Sequence, residues 1–348
     1  MSLTAPAPLA ARVASLRRAR SRGRCRIAAL IGGLLAVGIT LTLSVGHSVT
    51  PPLDVVRALT GGDVPGAGFS VRELRLPRAV LATLAGMSFG LGGVVFQTLL
   101  RNPLASPDII GISSGASAAA VVAIVLLGWT GAAVSVAAVL AGLAVALLIY
   151  LLAWRDRVSG ARLILIGIGI SAMLESIIAW VLSRAPAWTL QEALRWLTGS
   201  VNGATVDQAL PVLLSLGLFG GLLLGLRREI GAMRLSDDTA AALGVPLLRD
   251  KALVILAAVG LIAVATAVTG PIAFVAFLSG PVAARVTGPG RAPLGTAALI
   301  GALLVLIGDF VGQHLLPARY PVGVVTGAIG APYLLYLIVR ANRQGGHA

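Results

Sequence analysis

Lysine is nearly absent from this sequence: of its 27 basic residues only Lys251 is a lysine. A loop that cradles phosphates needs a glycine-rich turn ending in Lys-Ser or Lys-Thr. Lys251 sits in Arg-Asp-Lys-Ala, so the chain cannot be its own P-loop ATPase. Cysteine is represented by Cys25 alone, which excludes an intrachain disulfide and a thiolate metal site. The three histidines, His47, His314 and His347, are far apart in sequence, and no nucleophile–base constellation accompanies them. No catalytic, cofactor or metal-ligating residues are therefore assigned. Charge of either sign is scarce, 11% of residues, where soluble domains carry ~25%.

In its place stand apolar residues, 57% of the chain, in recurring runs of 18 or more. A helix crossing a bilayer needs ~20 such residues, so the expected fold is an all-α polytopic membrane protein. The net charge of +14 would point to nucleic acid in a soluble domain. Here it reads as basic loops on the cytoplasmic side, with lipid and not nucleic acid as the partner.

Residues 1–26 hold seven arginines and no acid, followed by an apolar run at 27–45. That run is too long for a signal peptide and lacks a small-x-small cleavage site after it. It reads as a first span behind a mobile basic tail. Further spans are expected at about 77–100, 111–127, 132–153, 163–183, 209–226, 252–268, a short one ending near 285, 294–315 and 322–339. External loops fall at 46–76 and 184–208, and a basic tail at 341–348. Ten spans put both termini on one side. On that topology 20 of the 27 basic residues share the side of the termini, which makes it cytoplasmic. Glycines spaced by four at Gly86/Gly90, Gly111/Gly115 and Gly217/Gly221/Gly225 read as close helix packing.

The most informative stretch runs from Leu74 to Ala120. Arg75-Leu76-Pro77-Arg78 opens an apolar run that breaks at Arg101-Asn102-Pro103-Leu104-Ala105-Ser106-Pro107, and Gly111 and Gly115 follow. Two prolines so close together forbid a continuous helix, because each lacks an N–H and crowds the preceding turn. This pattern resembles the FecCD/BtuC-type permeases of bacterial ABC importers for iron–siderophores, haem and cobalamin. Three later stretches extend the resemblance over about 27–340. Leu235 to Val245 is similar to the family's Leu-x-x-(Asp/Glu)-x-Ala-x-x-Leu-Gly-Val. Gly270-Pro271-Ile272-Ala273-Phe274-Val275 precedes Pro281 and Arg285, with Val282 where the family has His. The last is Tyr320 to Tyr333.

The resemblance implies a ten-helix permease domain at 27–340 that performs no covalent chemistry. It implies a partner permease, two ATP-binding subunits that hold ATP and Mg, and an extracytoplasmic solute-binding (lipo)protein, all at a bacterial cytoplasmic membrane. It places a cytoplasmic gate at Asn102, Pro103 and Leu104, with a second layer at Ser159, Gly160 and Ala161. It places ATPase coupling in 227–251, through Leu235, Asp237, Asp238, Ala241, Leu243 and Gly244. The residue chemistry there is compatible: Ser236 or Asp237 can cap a short helix and Gly244 can end it, although a solvated loop would show the same features. Arg75, Arg78 and Arg319 are implied to dock the binding protein, where interfacial snorkelling is the plainer reading.

Two acids lie inside spans, Glu175 and Asp309. Intramembrane acids are costly and mark proton or ion paths or structural pairs. A proton-coupled secondary transporter using them is the rival from another class. Within the family, Leu152-Ala153-Trp154-Arg155, 162–170, 172–174 and Asp237-Asp238-Thr239 resemble subunits importing ferric catecholates of the enterobactin type. That likeness implies a heterodimer, with cobalamin or haem as alternative cargo.

Overall fold

The computed structural model describes residues 9–46, 48–62, 64–107, 111–153, 160–288 and 292–345. Its elements are helices throughout. In order they are α1 (Leu9–Ser44), α2 (Pro52–Leu59), α3 (Leu76–Leu99), α4 (Ile112–Val125), α5 (Ala132–Ala153), α6 (Gly160–Leu182), α7 (Ala187–Leu197) and α8 (Val206–Ser215). Then come α9 (Gly221–Gly225), α10 (Arg227–Met233), α11 (Asp237–Ala242), α12 (Leu247–Thr269), α13 (Val275–Thr287), α14 (Leu294–His314) and α15 (Val322–Gly345). A π-helical turn, Ser70–Arg75, leads into α3, and another, Leu216–Gly220, joins α8 to α9. Eight stretches are long and apolar enough to cross a bilayer, and α4 and α13 are shorter apolar helices. Together these ten stretches correspond to the ten segments expected as spans.

Two expectations need correction. The first helix starts earlier than the span expected from 27: α1 already begins at Leu9, because residues 9–26 are rich in Ala, Leu and Arg, all good helix formers. Nor is 46–76 a bare loop, since it carries α2 and the π turn.

The bundle is centred on α3, 78% of whose apolar window is buried, against 67% for α12 and 61% for α14. Lipid offers helices no hydrophobic reason to associate, so close packing of small residues must hold them. Gly86 and Gly90 supply it: a Cβ on Gly86 would lie 2.4 Å from the Gly301 carbonyl oxygen of α14, and one on Gly90 2.3 Å from that of Ala297. Gly93 meets the Ala276 carbonyl of α13 in the same way. Gly115 of α4 packs on Val145 of α5. Gly217, Gly221 and Gly225 do not behave so, because nothing lies near them in this chain. At α6 only 17% of the apolar window is buried, and Leu165, Ile168, Met173 and Trp180 are exposed.

Candidate translocation site and cytoplasmic relay

Both short helices end at one cavity. At 1.5 Å per residue, α4 and α13 are about 20 Å long, less than the ~30 Å hydrocarbon core. The described chain before them, 101–107 and 270–274, is not α-helical, and irregular backbone within a bilayer is tolerated only when buried or lining a wet cavity. A partly open cavity of about 560 Å³ lies there. Leu104 and Ser106 come from the loop before α4, and Ser113, Ser114 and Ser117 from α4 itself. Glu175 and Ile178 of α6, Phe274 and Phe277 at the start of α13, and Leu334 of α15 complete most of the wall.

Two non-glycine residues among those described have left-handed backbone, Phe274 (φ 63°) and Arg101 (φ 50°). Such conformations persist only where the surroundings impose them, and they cluster at functional sites. Phe274 is pinned against Gly330 of α15, where any Cβ would collide with its ring, and it stands edge-on to Phe277 at 6.1 Å. Arg101 opens the loop expected to gate.

That loop is stiff for identifiable reasons. The Asn102 side-chain oxygen accepts from the Leu104 N–H at 2.9 Å, and the Asn102 carbonyl from the Ala105 N–H at 3.1 Å. Pro103 and Pro107 remove two further degrees of freedom. Leu104 is half-buried and reaches the cavity, while Asn102 and Pro103 line a second cleft of about 310 Å³ with Arg101, Arg234 and Pro281. The structure thus separates the expected gate residues between two clefts divided by the loop. Of the second layer, Ser159 lies outside the described residues, Gly160 begins α6 and Ala161 is in its first turn.

Arg101 ties the loop to the segment expected to couple. Its Nε donates to the Met233 carbonyl at 3.1 Å and its Nη2 meets Asp237 Oδ1 at 2.5 Å. Lys251 Nζ reaches the other oxygen of Asp237 at 2.6 Å. Partial burial pushes the Asp237 carboxyl up, but the hydrogen bonds and charges of Lys251 and Arg101 outweigh it and hold the group below the ordinary carboxylate range. Both carboxylate oxygens of Asp237 are therefore engaged within the chain. Leu235, Asp238, Ala241, Leu243 and Gly244 beside it are exposed, with Ala240 turned inward. The Ser236 hydroxyl caps α11 by accepting from the Thr239 N–H at 3.0 Å.

Arg75 and Arg78 are not presented to the outer surface, contrary to expectation. The last carbonyls of α1 have no intrahelical donors, and buried Arg75 satisfies them: it donates to Leu43 at 2.8 Å and Ser44 at 3.0 Å, and also to Ser48 and the Thr50 hydroxyl. Arg78 grips Asp309 of α14 with two bonds of 2.6 and 2.7 Å, and the carboxylate side chain is 3% exposed. That pair accounts for Asp309 as a structural acid. Arg319 alone of the three is exposed.

One buried feature escaped sequence reasoning. Pro281 has no N–H to give the Phe277 carbonyl four residues earlier. Gln97 of α3 supplies the missing donor, Nε2 to the Phe277 oxygen at 2.9 Å, and Gly280 leaves room for its amide. The proline was the available signal. Val282, in place of the family histidine, packs against the apolar core, and Arg285 reaches the Tyr336 hydroxyl of α15 at 3.0 Å.

Comparison with known proteins decides the family. The profile described as the FecCD transport family matches residues 34–340, most of the chain. The chain belongs to the FecCD transport family. This FecCD chain is 39% identical over 322 residues to the ferric enterobactin transport system permease FepG of Escherichia coli, covering 91% of this chain and 94% of that one. It is equally 39% identical to the achromobactin transport system permease CbrC of Dickeya dadantii, covering 91% of each. A solved metal-chelate type ABC transporter in an inward-facing conformation superimposes with a TM-score of 0.81 at 26% identity, over 90% of this chain and 99% of that one. The FecCD chain is an integral membrane protein of the ABC permease type, and its helices form the same bundle.

Proposed function

We propose that this chain is one membrane-spanning half of an ATP-driven importer for a ferric siderophore in a bacterial cytoplasmic membrane. The observation that carries the reading is 39% identity, over 91% of this chain, to permeases named for ferric enterobactin and achromobactin. In this reading the chain has no catalytic group and no cofactor. Two ATP-binding subunits hold ATP and Mg, and a solute-binding lipoprotein delivers cargo outside. A second, non-identical permease faces the open sides of α6 and α15 and closes the pathway. Asn102, Pro103 and Leu104 gate it, with Ser159, Gly160 and Ala161 as a second layer. Leu235, Ala241 and Leu243 dock the ATPase, and Asp237 passes the motion to Arg101. Arg319 contacts the binding protein.

Deletion should abolish uptake of one iron–siderophore complex and spare cobalamin. Purified chain with only ATPase and binding protein should not transport; robust transport in liposomes would remove the heterodimer.

A proton-coupled carrier is favoured by one observation, the carboxylate of Glu175 on the cavity wall. Uptake that stops when the proton gradient is collapsed at constant ATP would establish it in place of the ATP-driven reading.

A further inference from the structure

The structure treats its two intramembrane acids in opposite ways. Asp309 is buried and neutralised by Arg78. Glu175 is exposed on α6, bonded to no described residue, and is the one charged side chain among the described residues lining the 560 Å³ cavity. An unpaired carboxylate at membrane depth is retained where it faces water or a ligand. Around it the wall carries Ser114 and Ser117 and the rings of Phe274 and Phe277. Hydroxyls serve either sign of charge. A carboxylate and aromatic faces favour a positive one, since ring faces attract cations. No arginine or lysine among the described lining residues would receive an anion.

We propose that Glu175 selects cargo by charge, receiving the cationic or hydrogen-bond-donating face of a ferric complex and discriminating against polyanionic complexes. The inference rests on the siderophore reading above and narrows it. This wall of the pathway suits a neutral or cationic complex, such as a ferric trihydroxamate with a free amine, better than a trianionic tris-catecholate. It runs against the catecholate cargo implied by sequence resemblance, because overall identity reports mostly packing residues while the charge of the wall depends on one side chain.

The test uses the complete complex in liposomes, with the partner permease, ATPase and binding protein present. Loading of the binding protein is measured separately. The probes are a ferric trihydroxamate bearing a free amine, its N-acetylated counterpart, and a ferric tris-catecholate. Transport per loaded binding protein is compared for wild type, Glu175→Gln and Glu175→Lys. The amine-to-acetyl ratio is expected to fall about tenfold in Glu175→Gln, as loss of one close charge contact implies. Tris-catecholate transport is expected to rise in Glu175→Lys.

An unchanged ratio in Glu175→Gln, or an equal loss for all probes, would overturn charge selection and leave the siderophore reading standing. So would tris-catecholate transported fastest by wild type. If wild type moves no ferric probe from a loaded binding protein while hydrolysing ATP, the siderophore reading fails and this inference with it.

Discussion

Arg101 and Asp237, 136 positions apart in sequence, meet at 2.5 Å and join the loop between α3 and α4 to the short helix α11. Lys251 completes the junction from α12. Residues proposed to gate and residues proposed to couple are thus joined by direct side-chain contacts.

Replacing Arg101 by Ala or Asp237 by Asn should impair transport more than stability. The pairs are partly exposed, at 40% and 36% for Arg101 and Asp237, and such ion pairs contribute only ~0.2–1 kcal/mol. ATP hydrolysis should continue while cargo movement falls by up to about fivefold, the factor that about 1 kcal/mol makes in a two-state equilibrium. The sign of the pH dependence follows from the lowered Asp237 carboxyl. Its stabilising contribution is present above the unfolded value of ~3.9 and is lost as pH falls through the lower folded value. Coupling through this link should be flat from about pH 5 to 8. An acid transition within that range would assign it to another group.

Asp309→Asn should lower the thermal stability of the detergent-solubilised permease, because it strands Arg78 largely out of water. Breaking a buried pair costs about 3–5 kcal/mol, while an apolar replacement of both partners is often neutral. Arg78→Met with Asp309→Met should therefore recover much of the loss. If the double variant is the sum of the singles, the pair is not coupled.

Gln97→Leu should destabilise by about 1–3 kcal/mol, the cost of leaving the buried Phe277 carbonyl without a donor. In a Pro281→Ala background the helix regains its own N–H, and the same substitution should cost less. Equal cost in both backgrounds would show that Gln97 acts through packing alone.

Exposed Ala241 lies close in sequence to the exposed Leu235 and Leu243. Ala241→Glu should leave the permease folded and uncouple the ATPase, since burying an unpaired charge in a docked surface costs several kcal/mol. Co-purification with full transport would remove the patch as a docking site. After removal of exposed Cys25, a cysteine at Thr189 should react with an impermeant thiol reagent from outside and one at Leu243 should not. The reverse pattern would invert the topology.

The long apolar helices and the breaks between them were legible in the sequence, because apolar length is a local quantity that a bilayer reads directly. Helix α5 falls at the expected 132–153, and the prolines at 103 and 107 mark the loop between α3 and α4. The partners of polar side chains were decided only by the tertiary structure. Arg75 and Arg78 look alike in sequence, yet one caps the end of α1 and the other neutralises an acid on α14. Asp309 and Glu175 are both acids within apolar runs, yet one is paired and the other faces a cavity. Packing glycines divide in the same way: Gly86 and Gly90 have α14 against them, and Gly217, Gly221 and Gly225 have nothing. Hydrophobic length acts along one segment, whereas a hydrogen bond or a close approach needs a second segment brought to within a few ångströms, and only the packed bundle supplies it.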